Sequence, residues 1–498
     1  MISKIESKVR KRKRKFESRL KSIPDSETAH IFGSGTRKYE LSEKTTALHC
    51  GGIGLIQEIV RKSDLADIIN DRLRLLKIKK PYSESDHILN LAYNFLCGGE
   101  CLDDLKLLRD NPAYLDALNV KRIPDPTTAG DFLRRFGYDD NLELHDAMNE
   151  ANGRIWKEIG RGKTLPRAIL DIDSSVKETR GETKEKMDIS YNGKWGFHPL
   201  VITEADTDVH VAVYNRPGNE ASQSNASYWI EYAVASIEPY FDKIFLRGDS
   251  AFCLTFKFDE WTQAGLQFVF GMDSAKNLRD IAENLPRSRW KKLNSRPLNG
   301  RKKPKSEKER KVEKREFKNM RTEREWLAEF EYSPRKCQES YRVIALKKDI
   351  RVTRGQQHLF DDTRFFFYIT NIQDMTALEV LDFIRKRCNH ENKLQQLKSG
   401  IPALRAPCAE FHANWAWMII GAISWNVKSW IGLLFADGVR GREILAMKFK
   451  RFLNSLIYIP CQILRSGRMV VYRFLNINPW FLDSMKTIAR LKASPAFY

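Results

Sequence analysis

From about residue 51 to 158 the apolar positions recur every three or four residues: Leu55, Ile59, Leu65, Ile68 and Ile69, then Ile88, Leu89, Leu91, Ala92 and Phe95. That period predicts a helical region with one buried stripe per helix. Pro124-Asp125-Pro126-Thr127-Thr128 interrupts it, and Asp125 or Thr127 is placed to cap a new helix over 129–136. After Pro166 the period shortens. Strands are expected at 168–173, 196–203, 209–214 and 243–249, with a helix at 221–237 and a further strand at 265–272. Three strands, a helix and a fourth strand is an α/β order. Alternation at 326–332 and 341–346 predicts antiparallel strands inserted into this domain. The apolar run 364–371 and a helix over 376–398 predict its resumption.

The most apolar stretch, 415–435, is interrupted by Ser424, Asn426 and Lys428, so it fails as a membrane span and is expected to be a buried helix. Trp415, Trp417, Trp425 and Trp430 then read as packing around the terminal helices.

Charge adds a partner to this picture. The 498 residues carry a formal net charge of +21, with 42% of positions hydrophobic, which describes a globular and strongly cationic molecule. Basic residues recur along the whole chain instead of lining one amphipathic helix, so nucleic acid is favoured over a membrane surface. Residues 8–15 hold seven basic residues in eight, too repulsive to pack, and predict a flexible arm with salt-sensitive affinity for phosphates. Residues 301–315 hold nine basic against three acidic residues and predict a charged loop or ribbon. The eight cysteines are scattered. Cys97-Gly-Gly-Glu-Cys101 has no second Cys or His pair at a zinc-site interval and reads as ordinary thiols. No signal peptide opens the sequence, and a reducing cytoplasm is the expected compartment.

Three acidic residues carry the candidate chemistry: Asp173 ending the first strand, Asp249 ending the fourth, and Glu391 in the late helix. Carboxylates at two strand ends and one helix can hold two hard divalent cations, which activate water and stabilise a displaced phosphate. Asp171 and Asp173 share one face of their strand, and Asp173, followed by Ser174-Ser175, takes the direct role. Each Asp also has an ordinary reading as an exposed strand end or a helix cap. Arg387, Glu391 and Lys398 are four and seven apart, which on an α-helix places them within about 40° of one face. Glu391 would complete the cation site and the two cations would hold phosphates beside it, although a salt-bridged surface helix predicts the same spacing. Arg134 and Arg135 sit on the short helix after Pro126, a candidate recognition helix whose pattern an ordinary bundle also produces. Lys194 and Trp195 are candidate contacts to a displaced base, with Trp195 equally a core residue, and His198 reads first as a loop or core histidine.

At this point the chain resembles bacterial insertion-sequence transposases with an RNase H-like DDE domain. Their signature is Tyr, two residues, Arg, three residues, Glu, six residues, Lys. Arg387, Glu391 and Lys398 match it in identity and spacing, while Ile384 stands where the tyrosine belongs. Asp173-Ser-Ser, Arg247-Gly-Asp249-Ser-Ala-Phe, Tyr191-Asn-Gly-Lys-Trp-Gly-Phe-His-Pro199 and Arg216-Pro-Gly-Asn219 are similar to the same family, over roughly residues 45 to 440. The resemblance implies a mixed five-stranded sheet with the first Asp on the central strand, the second on its neighbour and the Glu on a following helix. It also implies a strand-rich insertion between Asp249 and Glu391.

The organisation expected is an α/β fold whose RNase H-like core is split into 161–273 and 363–440 by a basic strand-rich insertion at 274–362. A basic flexible arm at 1–45 and a helical DNA-binding domain at 46–160 precede it, and a basic helical region at 441–498 follows. The expected function is a cut-and-paste transposase acting on double-stranded DNA, at its own terminal inverted repeats and a target. Asp173, Asp249 and Glu391 would be the metal-binding catalytic residues for Mg2+, with Mn2+ a substitute, and Lys194, Arg134, Arg135, Arg387 and Lys398 would contact DNA. A synaptic homodimer in the bacterial nucleoid is implied by the resemblance. The rival readings are a non-catalytic DNA-binding descendant and a nuclease that never joins strands.

Overall fold

The computed structural model describes residues 2–21, 37–40, 46–179, 181–293, 318–354, 357–466 and 469–493. Helix α1 (Ile2–Lys21) precedes a short strand β1 (Ala47–Leu48) and seven helices: α2 (Ile53–Lys62), α3 (Leu65–Arg72), α4 (Glu84–Leu96), α5 (Leu105–Arg109), α6 (Pro112–Leu118), α7 (Pro126–Leu133) and α8 (Tyr138–Ile159). Asp125 caps α7, accepting from the Thr128 amide at 2.9 Å with Pro126 at the first helical position.

Strands then follow: β2 (Ala168–Ser174), β3 (Lys177–Glu178), β4 (Asp188–Ile189), β5 (Trp195–Phe197), β6 (Leu200–Glu204) and β7 (Val209–Tyr214). Helix α9 (Ala226–Ile237) leads to β8 (Ile244–Gly248), and α10 (Phe258–Gln263) to β9 (Gln267–Met272). The single strand expected over 196–203 is two, because His198-Pro199 interrupts it and proline has no amide to donate to a ladder. Its first part, β5, forms a separate small sheet of order β3-β5-β4.

Helix α11 (Lys276–Asn284) and β10 (Lys291–Leu293) precede three long strands, β11 (Lys318–Tyr332), β12 (Tyr341–Arg354) and β13 (Gln357–Thr370). These do not form a layer of their own. They extend the central sheet, whose nine strands run β10-β11-β12-β13-β9-β8-β2-β6-β7. Strand β2 pairs parallel with β8 and β8 parallel with β9, while β2-β6-β7 and β9-β13-β12-β11-β10 are antiparallel. The basic run 301–315 lies outside the described residues.

The expected helix over 376–398 is divided into α12 (Ala377–Arg385) and α13 (Cys388–Ser399), with a turn at Lys386-Arg387. Thr376 caps α12, its hydroxyl accepting from the Glu379 amide while Glu379 reaches back. The apolar stretch becomes α14 (Phe411–Leu433), buried almost throughout. Its tryptophans do pack, and each indole N–H finds a partner: Trp415 the Val213 carbonyl at 2.6 Å, Trp417 that of Pro402, Trp425 that of Asp208, and Trp430 the Asn152 amide oxygen. No helix among the described residues is long and apolar enough to cross a membrane.

The chain ends with α15 (Gly438–Ala446), α16 (Phe449–Phe452), a hairpin of β14 (Cys461–Ser466) and β15 (Met469–Phe474), and α17 (Phe481–Ala493). The region past 440 is thus part strand, and β14 pairs with β1 near the other end of the chain. Of the N-terminal basic segment, expected as a flexible arm over 1–45, the structure describes residues 2–21 and 37–40. The part at 2–21 is a helix, with Arg12 reaching the Phe474 and Leu475 carbonyls at 3.4 Å and Glu6 facing Lys486 at 3.7 Å. Those contacts to the C-terminal region, with the exposed Lys13–Glu17 pair at 3.8 Å, offset some of the repulsion along the basic run.

Alternation along β2 sorts its side chains between two layers. Ala168, Leu170 and Ile172 join the larger apolar cluster shared with the N-terminal helices and α14. Ile169 joins a smaller one with Phe245, Val269, Phe383 and Ile384, so α12 covers that face. Asp171 and Asp173 belong to the same face as Ile169. The carboxylates therefore point toward the side on which α12 and α13 lie.

Candidate active site at the ends of two parallel strands

The first of these carboxylates is committed elsewhere. Asp171 lies opposite Arg247 of β8 in the parallel register, and Arg247 grips it with two bonds, Nε to Oδ1 at 2.5 Å and Nη2 to Oδ2 at 2.9 Å. The third nitrogen, Nη1, donates to the Phe383 carbonyl at 2.6 Å. Both side chains are at most 3% exposed. Asp171 and Arg247 thus fasten the end of α12 to the sheet, and the charge of Asp171 is neutralised by a buried partner.

One step further along β2, Asp173 reaches the strand's edge. Its Oδ1 accepts from the Ser174 amide at 2.8 Å and its Oδ2 from Arg387 Nη1 at 3.1 Å. The last register pair between β2 and β8 is Ile172 with Gly248, so the next residues on the two strands are Asp173 and Asp249. Asp249 is half-buried and caps a 3-10 turn at Ser250–Phe252, its Oδ1 accepting from the Ala251 amide at 3.0 Å. Gly248 permits this bend, since a Cβ there would sit 3.1 Å from both Phe252 and Phe270. The cap that composition predicts for such an Asp is present, and it orients the carboxyl.

Arg387 is the N-cap residue of α13, so the ion pair with Asp173 fixes where that helix begins. Glu391 lies one turn along it, about 6 Å up the axis and about 40° round from Arg387. The side chains of 388–392 lie outside the described ones. Among the described residues no group of three or more His, Cys, Asp or Glu is placed to hold a metal ion.

Besides the paired Arg387, the field of the Asp173 carboxylate reaches Lys398 of the same helix. The Lys398 ammonium is pushed down from its ordinary pKa by burial, and by repulsion from Lys177 and Lys194, while Asp173 opposes the shift. Lys398 thus lies within electrostatic reach of Asp173, Lys177 and Lys194. Lys194 lies beside Glu178 at 3.6 Å, with both side chains exposed. On the same small sheet Trp195 is 51% exposed and Tyr191 83% exposed, so neither is a core residue.

His198 is buried, its Nδ1 bonded to the Glu220 carbonyl at 2.8 Å, as the loop reading expects. Arg216 is the unforeseen clamp beneath it. Fully buried, it donates to the carbonyls of His198 at 2.8 Å, Ser222 at 2.9 Å and Ser224 at 3.1 Å. Burial draws its pKa down to about 10. The loop it holds places Ser222 Oγ 3.1 Å from Ser174 Oγ, beside Asp173.

Arg134 and Arg135 fall just past the last residue of α7, with Arg134 facing Asp131 at 2.7 Å. Their contacts among the described residues do not reach Asp173 or Asp249. A second set of groups escaped sequence reasoning altogether. Asp208 binds both Lys393 and Lys428 at 3.0 Å, joining the β6–β7 turn to α13 and α14. A lysine inside the apolar run 415–435 was the available signal, since a buried ammonium requires a buried acid.

The family described as transposase DDE domain group 1 matches the chain over residues 47–495. No curated protein matches it. Among solved structures, a piggyBac transposase synaptic complex with hairpin DNA is similar at 12% sequence identity and a TM-score of 0.40, covering 90% of this chain and 83% of that one.

Proposed function

The chain belongs to the transposase DDE domain group 1 family, and on that premise we propose that it cuts and joins DNA by metal-dependent phosphoryl transfer at Asp173, Asp249 and Glu391. The observation that carries this reading is the register that puts Asp173 and Asp249 each next after the last paired residues of two adjacent parallel strands, with α13 starting at the Arg387–Asp173 ion pair. The order β7-β6-β2-β8-β9, with the first Asp on its central strand, supports an RNase H-like core. The long strands β11 to β13 then stand as the insertion, grown from the edge of the same sheet.

A donor set of carboxylates suits a hard cation that keeps part of its water, so Mg2+ is the expected ion and Mn2+ a substitute. Asp249 fits that role in having its Oδ1 steadied by a backbone amide, and Asp173 in standing at the register position beside it. When bound, such ions supply Lewis-acid stabilisation of the phosphate and a nucleophilic oxygen at neutral pH. The protein's own part is electrostatic and positional. Arg387, Lys398 and Lys194 gather DNA phosphates around the carboxylates, and the buried Asp171–Arg247 pair keeps α12 and the turn before Arg387 in place. The substrates proposed are the terminal inverted repeats of the chain's own element and a target duplex, held by a dimer that brings two ends together. Arg134 and Arg135 are proposed as contacts to the repeat.

The test separates transposition from hydrolysis. Purified protein, repeat-ended DNA, a supplied target plasmid and Mg2+ are expected to yield a joined product. Nicked DNA with no joined product would reduce the reading to a nuclease.

A further inference from the structure

A second site lies on the same face of the sheet, behind Asp171 rather than beside Asp173. It is a cavity of about 640 Å³ between β2, the β6–β7 turn, α13 and α15. Six cations and three carboxylates line it. Each carboxylate already has a cationic partner within the lining: Asp171 with Arg247 at 2.5 Å, Asp206 with Arg167 at 3.2 Å, and Asp208 with Lys393 at 3.0 Å. Three positive charges remain, on Lys386, Arg442 and Lys448. All three residues are exposed, and none has an ion pair among the described residues.

We propose that this cavity is a phosphate-binding site, formed by Lys386, Arg442 and Lys448 above a floor of internally neutralised ion pairs. Three like charges around one concavity repel one another, and a phosphate relieves that repulsion while accepting several charge-assisted bonds. Arg442 supplies a planar fork suited to two phosphate oxygens, and the lysines supply point charges. Phe383, Leu445 and Met447 line the same concavity, so its wall is apolar as well as charged. The charge of each carboxylate is offset by its partner, buried for Asp171, largely buried for Asp208 and half exposed for Asp206, so the lining keeps a net positive charge toward an anion. None of Asp173, Asp249 and Arg387 lines it, so it is separate from the proposed catalytic cleft. The proposal stands whether or not the chain cleaves DNA.

Phosphate of this kind comes either from a DNA backbone or from a free nucleotide. Binding of a short duplex lacking inverted-repeat ends, and of deoxyadenosine monophosphate, is measured at low salt for two triple variants. One is Lys386→Ala/Arg442→Ala/Lys448→Ala. The other, Lys163→Ala/Lys276→Ala/Arg335→Ala, removes the same charge from exposed positions elsewhere. The first variant is expected to weaken binding about tenfold relative to the second, with a shallower salt dependence. Weakening of the duplex alone assigns the site to backbone phosphate, and weakening of the mononucleotide assigns it to a free nucleotide. Equal affinities of the two variants for both ligands would overturn the proposal.

Discussion

Asp171 and Asp173 are two residues apart on one strand face, yet their surroundings assign them opposite work. Asp171 is enclosed with Arg247, so removing it strands a buried guanidinium. Asp171→Ala is expected to destabilise the fold by about 3–5 kcal/mol, read as a lower urea midpoint with unchanged slope. Asp173→Ala leaves Arg387 nearer the surface and is expected to cost clearly less. A larger loss for Asp173 than for Asp171 would mean that the assignment of structural and functional carboxylate is reversed. Sequence alternation alone placed both on one face, and hydroxyl neighbours pointed to Asp173. That Asp171 is consumed by an arginine on the next strand depends on register, which no local pattern carries.

Among the elements, those whose period matches their environment were legible: β2, β7 and β8 are apolar because both faces of the sheet are covered there. The long strands β11 to β13 were read short because their outer halves pair charge with charge, as in Arg351 with Glu323 at 2.9 Å, and so look like polar loop. The break between α12 and α13 was missed since no glycine or proline marks it, and it is the Arg387–Asp173 contact that accompanies the turn. Helix α13 is also held from behind. Asp208 receives Lys393 from α13 and Lys428 from α14, and although burial opposes it, those two ammonium groups keep its carboxyl below the usual range. Asp208→Ala leaves two ammonium groups in the interior. The expected cost is about 3–5 kcal/mol, accompanied by faster amide exchange in α13 than in α9, where no such clasp exists. Uniform exchange in the two helices would contradict the clasp.

For the whole molecule, one core unites the helical N-terminal part with one face of the sheet, and His145 is a joint between them. Its Nδ1 bonds to the Asn141 carbonyl at 2.9 Å, and its Nε2 accepts from the Val213 amide at 3.1 Å. That geometry needs the neutral ring, and burial draws its pKa down to about 4. The unfolded chain takes up the proton near pH 6.5, so the stabilisation is complete above that value and is lost as pH falls from about 6.5 toward 4. The loss amounts to roughly 3 kcal/mol by the lower value. Urea midpoints measured between those pH values should fall less steeply for His145→Gln than for the wild type, and identical slopes would exclude the histidine as a source. The central claim is that Asp173, Asp249 and Glu391 act together on DNA. Its most direct test is strand cleavage of repeat-ended DNA in Mg2+ by the wild type and by Asp173→Ala, Asp249→Ala and Glu391→Ala, with DNA binding measured alongside. Cleavage by the wild type, with binding but no cleavage by each variant, is the predicted result. Cleavage undiminished in the three variants would contradict it.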